Sequence, residues 1–216
     1  MGIVQAQANM SLDGYVAKQD NTIGRLFDWL QNGEVAIPTP AGDFTAHLNP
    51  PSAEHWRRWV PSLGALVCGR TLFDVAHGWQ GRHTLDIPVV VVTHRVPQEW
   101  VDAHPDAPFS FVTDGVEAAI ARAQELAGDK VVAVTGGTIA RQCLELGLLD
   151  EVAIDLVPVV MGAGNRPFFG ELSSEDVVLG NPTVCVQGDR VTHFVFPVLR
   201  STFAVHAAAS AHARWT

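Results

Sequence analysis

Residues 88–93 read Pro-Val-Val-Val-Val-Thr, and four valines in a row, with no alternation, describe a strand buried on both faces. Such a strand needs a helical layer on each side, which commits the chain to an α/β arrangement around a mostly parallel sheet. Residues 3–8, 64–68, 109–112, 131–135 and 151–160 read as further strands. Helix signals alternate with them. At 52–60, Ser52 is the candidate cap, Glu54 lies in the first turn and Pro61 ends the run. At 116–127, Asp114 and Glu117 resemble a capping box and Gly128 closes the helix, while 138–146 is closed by Gly147. The last runs, 182–187 and 190–198, flank Gly188-Asp189 and predict an antiparallel hairpin at one edge.

Between Asn9 and Pro51 the pattern breaks. Gly14, Gly24, Gly33, Pro38, Pro40 and Gly42 punctuate an excursion of the kind that forms a lid or binding loop, with a short helix around 26–31. No linker or repeat divides the chain, so residues 1–200 read as one domain. The Ala- and His-rich tail 201–216 is either a docking helix or partly disordered.

The formal net charge is −9 with only 14 Lys and Arg among 216 residues, which argues against a nucleic-acid groove. A bound phosphate must be met locally, by a few placed arginines and backbone N–H groups. No apolar run approaches the roughly 18 residues needed to cross a bilayer, and no signal peptide is visible, so no membrane contact and a cytoplasmic location are expected. Cys68, Cys143 and Cys185 lie far apart in or beside apolar runs, which reads as buried free thiols in a reducing compartment. There is no CxxC or HExxH pair, and the nine histidines show no ligand spacing, so no metal is expected. A hydrolase is not expected either, for want of a G-x-S-x-G elbow.

The chemistry concentrates where strands hand over to helices. In Val131-Val-Ala-Val-Thr-Gly-Gly-Thr-Ile-Ala140 a buried strand ends in two glycines and a helix begins at once. Gly136 and Gly137 would let phosphates approach the backbone, and the first turn through Thr138 and Ile139 offers N–H groups at the positive end of a helix dipole. The alternative is a tight turn with no ligand. Gly69-Arg70-Thr71 and Thr93-His94-Arg95 follow two other strands, and guanidinium forks suit phosphate oxygens. Equally, Arg70 and Arg95 could be salt-bridged surface residues. Three such junctions favour a dinucleotide across the strand ends, and paired cationic groups favour NADPH over NADH.

The ordered set of motifs resembles the dihydrofolate-reductase-like superfamily, in the branch similar to the C-terminal reductase domain of riboflavin biosynthesis. The motifs are Met10-Ser-Leu-Asp-Gly-Tyr-Val-Ala17, Gly69-Arg-Thr-Leu-Phe-Asp74, Pro88-Val-Val-Val-Val-Thr-His-Arg95, Val134-Thr-Gly-Gly-Thr138, and the stretch from Leu148 through Asp155 to Gly164 with Arg166-Pro-Phe-Phe169. The resemblance implies a three-layer fold with a mixed, mostly parallel eight-stranded sheet, NADPH binding and a homodimer. By position it implies that Gly69, Arg70 and Thr71 hold cofactor phosphates, that Thr93, His94 and Arg95 meet the adenosine end, and that Gly136, Gly137, Thr138 and Ile139 form the pyrophosphate turn. Ala8 to Val16 would close over the nicotinamide and exclude water.

On the substrate side, the carboxylate that dihydrofolate-reducing enzymes carry in the helix beside the pterin falls at Ala53, with Glu54 adjacent, which argues against activity on dihydrofolate. Asp13, in the closing loop, is the candidate proton donor, against an ordinary role as a turn residue before Gly14. Asp155, polar in an apolar strand, must be paired or face a cavity. Asn9 is a candidate substrate contact, and Trp29 either stacks on a flat substrate or anchors the loop. Together these predict an NADPH-dependent oxidoreductase acting on a small planar heterocycle, carbonyl or imine, with the proton from Asp13 or from a water held by Asp155. Pyrimidines and pterins are the model substrates, and 5-amino-6-(5-phosphoribosylamino)uracil reductase activity is the specific form. Arg25 and Arg166 are candidate holders of its phosphate. The rival readings are a non-catalytic NADPH-binding regulatory protein and a flavin- or nucleotide-binding protein on the same fold.

Overall fold

The computed structural model describes residues 2–173 and 176–199, so the tail 201–216 lies outside the described residues. β1 (Val4–Ser11) leads through β2 (Tyr15–Ala17), a 3-10 turn at Asp28–Leu30 and the hairpin of β3 (Val35–Pro38) and β4 (Thr45–Leu48) to α1 (Pro50–Trp59). Then follow β5 (Leu63–Gly69), α2 (Arg70–Val75), β6 (Val89–Val92), α3 (Gln98–Ala103), β7 (Phe109–Val112), α4 (Val116–Ala127), β8 (Val131–Thr135) and α5 (Thr138–Glu145). The chain finishes with β9 (Glu151–Val157), the two-residue β10 (Arg166–Pro167), β11 (Val184–Gln187) and β12 (Thr192–Pro197).

Eight strands form one sheet in the order β11-β12-β9-β1-β8-β5-β6-β7. Every neighbouring pair from β9 to β7 is parallel, and β12 runs against both of its neighbours. This is the mixed, mostly parallel sheet expected, with the antiparallel hairpin at one edge. The valine run explains its middle. Val90 packs among Ala119, Ile120 and Ala123 of α4, whereas Val89 and Val91 point the other way, to Phe73 of α2 and Trp100 of α3. All three are 0% exposed, and each buried valine contributes roughly 1.5–3 kcal/mol of transfer free energy. Helices therefore cover both faces, α4 and α5 on one side and α1 to α3 on the other.

Several local expectations are corrected. β1 runs on to Ser11, so Asn9 belongs to a strand and not to a loop. The segment 9–51 is less irregular than its glycines suggest, because it contains β2 and the β3–β4 hairpin. The helix around 26–31 is only the 3-10 turn. Asn49, not Ser52, caps α1: its side chain accepts from the Ser52 N–H at 3.1 Å, with Pro50 filling the first position, where no N–H is needed. Glu54 thus lies beyond the first turn. It pairs with Arg58 at 3.0 Å on the exposed side of the helix. The capping box at Asp114 and Glu117 does not form, since α4 starts from Gly115 at φ 95° with no side-chain cap. β9 stops at Val157, before Pro158, and Cys185 is exposed on β11, unlike buried Cys68 and Cys143.

Candidate active site

Because β1, β8, β5 and β6 are parallel, their carboxyl ends share one edge, and the three glycine- and arginine-bearing turns line up along it. They touch one another. A Cβ on Gly69 would lie 3.3 Å from Ile139 Cγ1, so the 69–71 turn packs directly on the start of α5. Arg70 reaches from that turn to the next, donating from Nη1 to the Arg95 carbonyl at 3.0 Å, while its Nε pairs with Asp74 at 2.7 Å. The Thr93 hydroxyl donates to the same carbonyl at 2.9 Å. Arg70 and Thr93 thus knit the two turns together. Thr71, His94, Arg95 and Thr138 are exposed along the edge, and Arg95 enters no ion pair among the described residues.

The two glycines of the third turn have different reasons to be glycine. A Cβ on Gly136 would lie 3.1 Å from the Ala8 Cβ and 3.3 Å from Val16 Cγ1, so this position seals the turn against β1 and the loop after it. Gly137 sits at φ 105°, a region side chains avoid, and a Cβ there would meet nothing within 4 Å. Their own N–H groups are committed, Gly136 to the Gln7 carbonyl at 3.1 Å and Gly137 to the Phe168 carbonyl at 2.6 Å. These two amides are therefore committed within the protein. The N–H groups left over by helix geometry are those of the first turn of α5, from Thr138 to Ala140.

The closing loop is held at both ends. Phe168 accepts from Gly137 and donates its N–H to the Gly14 carbonyl at 3.0 Å, and β2 pairs with β10 alongside. Asp13 closes the other side. The Ser11 hydroxyl donates to it at 2.6 Å, and the backbone N–H groups of Met161 and Gly162 donate at 3.1 and 2.7 Å. The Ser11 hydrogen bond, with those of the two amides, lowers the Asp13 carboxyl to about 2. Asp13 is thus an ionised acceptor that clamps the 161–162 loop, which corrects its assignment as a proton donor.

On the other side of β1 a polar row crosses three strands. The register puts Asn9 beside Asp155 and Asp155 beside His193, so the three side chains share the face that looks towards α1. His193 Nδ1 lies 2.5 Å from Asp155 Oδ1, and its Nε2 lies 2.9 Å from the Ser52 hydroxyl on α1. His55, one turn further along α1, stacks on His193 with ring centroids 4.5 Å apart and planes 22° apart. Burial, and the His193 ring beside it, hold His55 below the usual imidazole range. Asp155 keeps 18% of its side-chain surface, against 2% for His193. It is both paired and open, the two alternatives the sequence left.

Trp29 is 3% exposed and donates its indole N–H to Asn9 Oδ1 at 2.7 Å, with His193 at its edge 5.1 Å away. It anchors the loop and is not free to stack on a substrate. Arg25 and Arg166 are also engaged, Arg25 with Asp28 at 2.8 Å and Arg166 with Asn21 and the Gln19 carbonyl.

Sequence reasoning missed Ser52, His55 and His193. They come from α1 and β12, far apart in the chain, and no spacing pattern links them. His55, Asp155 and His193 do offer three possible metal-ligand atoms within 4.8 Å of one another. The two rings stack, and Asp155 Oδ1 and His193 Nδ1 are already joined directly at 2.5 Å, a hydrogen bond that a shared ion would have to replace. Ser52, His193 and Asp155 also have the connectivity of a hydrolytic triad. Ser52, however, is 1% exposed, and Gly188 backs so closely on its hydroxyl that a Cβ there would stand 2.2 Å away. A nucleophile at that closed end has no access to an acyl group.

Among the described residues no helix is long and apolar enough to cross a membrane. The model of the RibD C-terminal domain matches residues 3–192. A putative riboflavin biosynthesis protein from Shewanella sp. PV-4 superposes with a TM-score of 0.63 at 24% identity, over 93% of this chain and 100% of that one. A pyrimidine reductase-like protein from Corynebacterium diphtheriae gives 0.54 at 15% identity, over 92% of each chain. A dihydrofolate reductase from Enterococcus faecalis, complexed with NADP(H) and RAB-propyl, gives 0.52 at 16% identity over 91% of this chain and 96% of that one.

Proposed function

The chain belongs to the RibD C-terminal domain family, and from that premise we propose that it is an NADPH-dependent reductase acting on a pyrimidine-like heterocycle, with Asp155 at the reacting centre. The observation that carries this reading is the meeting of the glycine turn and the polar row across one strand. Gly136 packs on Ala8, whose side chain joins the α4/α5 face, and the next residue, Asn9, turns to the opposite face and opens the row to Asp155. β8 and β9 flank β1, so the turn and the carboxylate are two strand spacings apart, roughly 10 Å.

The residues present suit a dinucleotide. Gly137 leaves open space at the turn, the first turn of α5 supplies N–H donors, and exposed His94 and Arg95 flank the far end. When bound, the nicotinamide supplies a hydride. Thr138 and Ile139 would bind phosphate oxygens through their N–H groups, and Arg95 would meet the additional ribose phosphate. Arg70 acts by fixing the 93–95 turn. The turn from Leu12 to Gly14, clamped by Asp13 and Phe168, would keep water from the ring. Asp155, rather than Asp13, would deliver the proton. The homodimer implied by the resemblance belongs to the same proposal.

The test is turnover of 5-amino-6-(5-phosphoribosylamino)uracil and its dephosphorylated form, followed by loss of nicotinamide absorbance. Oxidation of NADPH by either acceptor, lost in Asp155→Asn, supports the reading.

A further inference from the structure

The orientation of the Asn9 amide is dictated by its partner. The Trp29 indole N–H can only donate, so the amide oxygen of Asn9 must face it, at 2.7 Å. Turning the amide over would set two N–H groups against each other and strand the indole donor of a side chain that is 3% exposed. The NH2 end of Asn9 is therefore the free end. It has no hydrogen-bond partner among the described residues. Trp100 Nε1 is the one fully buried side-chain polar atom there without a partner, so Asn9 Nδ2 keeps contact with solvent. Asp155 is held in the same manner. His193 engages its Oδ1 from the buried side, while Oδ2 accepts nothing among the described residues and the side chain stays 18% exposed.

We propose that Asn9 determines specificity by donating to a carbonyl oxygen beside the reacting C=N bond, so that the acceptor is a neutral cyclic acyl imine, C=N–C=O, and that Trp29 is the positioning residue that fixes Asn9 for this task. The proposal rests on the reductase reading, in which Asp155 delivers the proton, and it narrows the substrate class of that same site.

Three observations carry it. First, Asn9 and Asp155 are register partners on neighbouring parallel strands, so their side chains leave one face from positions about 4.8 Å apart. Two neighbouring heteroatoms on one ring edge lie within reach of both. Second, Nδ2 is a donor only and must meet a lone pair. The lone pairs of a carbonyl oxygen and of an adjacent ring nitrogen lie in the ring plane and point to the same edge, so one flat ring can meet Asn9 and Asp155 together. A C=C carbon would take its proton on the ring face instead. Third, the neighbour of Asn9 is a carboxylate, and no arginine or lysine pairs with the row among the described residues. An anionic oxygen would be repelled there, whereas a neutral carbonyl is not.

The step balances within the ring. The carbon of C=N gains a hydride and its nitrogen gains the Asp155 proton, giving C–H and N–H, while the carbonyl is unchanged and stays bonded to Asn9. The hydride comes from the reduced nicotinamide that the reductase reading supplies.

The experiment uses full-length protein with NADPH and two neutral acceptors that differ by one oxygen. Quinazolin-2-one carries the C=N–C=O edge, and quinazoline lacks the oxygen. The readout is the ratio of their kcat/KM values, with NADPH affinity as the folding control. Wild type should favour quinazolin-2-one by at least about tenfold. Asn9→Asp keeps an oxygen for the indole N–H and turns the free donor into an acceptor, so the ratio should fall by about tenfold. Trp29→Phe keeps a buried ring but frees the amide, and should lower the ratio in the same direction, through KM for quinazolin-2-one. Damage to the fold would slow both acceptors alike and leave the ratio where it was. Equal use of the two acceptors by wild type, or a ratio unchanged in Asn9→Asp, overturns the role of Asn9. A ratio unchanged in Trp29→Phe overturns that of Trp29. If wild type binds no NADPH, the reductase reading itself has failed. If NADPH binds but neither acceptor is reduced, calorimetry of both on the NADP+-loaded protein decides. Affinity about tenfold higher for quinazolin-2-one, lost in Asn9→Asp, supports the proposal, and equal binding or none overturns it.

Discussion

His193 and Asp155 face each other across β12 and β9 with Nδ1 and Oδ1 2.5 Å apart, a carboxylate–imidazole contact tighter than an ordinary N–H···O bond. Replacing Asp155 by Asn keeps the shape and removes the acid. Turnover is expected to fall by roughly 10²–10⁴, the span over which positioned general acids act. NADPH affinity should hardly change, because the 69–71, 93–95 and 136–139 turns lie on the far side of β1 from Asp155. Steady-state kinetics beside a binding titration check both statements.

Asp13 carries an opposite expectation. Its carboxyl is lowered from 3.8 to about 2 in the folded protein, so it binds fewer protons there than in the unfolded chain. The clamp on Met161 and Gly162 is therefore fully present above about pH 4 and is lost as pH falls towards about 2. Asp13→Asn should loosen the 11–15 and 161–162 loops and leave no carboxylate signature in the pH–rate profile. Hydrogen exchange of the Gly162 amide reads the first effect, and the rate profile the second.

His83 predicts a second pH dependence. It is 8% exposed and accepts from the Leu85 N–H at 3.2 Å, and burial pushes it down from 6.5 to about 4. The folded state holds the ring neutral, so its contribution is complete above about pH 6.5 and is lost as pH falls to about 4. A shift of this size corresponds to at most about 3 kcal/mol. Urea melts across that range should show a slope that His83→Gln flattens.

Gly137→Ala should destabilise the fold by about 1–3 kcal/mol, since φ 105° and ψ −151° lie where only glycine rests comfortably. The new methyl group meets no atom within 4 Å, so the loss is strain and not collision. If phosphates approach this open side, NADPH affinity drops further than thermal stability accounts for. Melting curves with and without NADPH separate the two.

What could be read from the chain was what is local. The valine run, the Gly-Gly turn before α5 and the βα handovers at Gly69 and Thr93 each contain their own cause within a few residues, and their order gave the sheet. Two caps failed: Ser52 was the obvious cap of α1, but Asn49 with Pro50 starts the helix three residues earlier, and α4 starts from Gly115 with no side-chain cap. The substrate side failed for a different reason. Asp155 drew notice because it was polar in an apolar strand, whereas His193 and Ser52 matter only through register and helix placement. Asp13 was misread because, besides the neighbouring Ser11 hydroxyl that lowers its pKa most, it accepts from the amides of Gly162 and Met161, far along the chain.

The central claim is that the three turns at the carboxyl edge hold a phosphorylated nicotinamide dinucleotide. A calorimetric titration with NADPH and with NADH tests it most directly, on wild type and on Arg95→Ala. The account predicts micromolar NADPH affinity, a preference over NADH of at least about tenfold, and loss of most of that preference in Arg95→Ala, about 1.4 kcal/mol per factor of ten. Equal binding of both cofactors, or a preference untouched by Arg95→Ala, would contradict the assignment of the 93–95 turn. No binding of either would contradict the reductase itself.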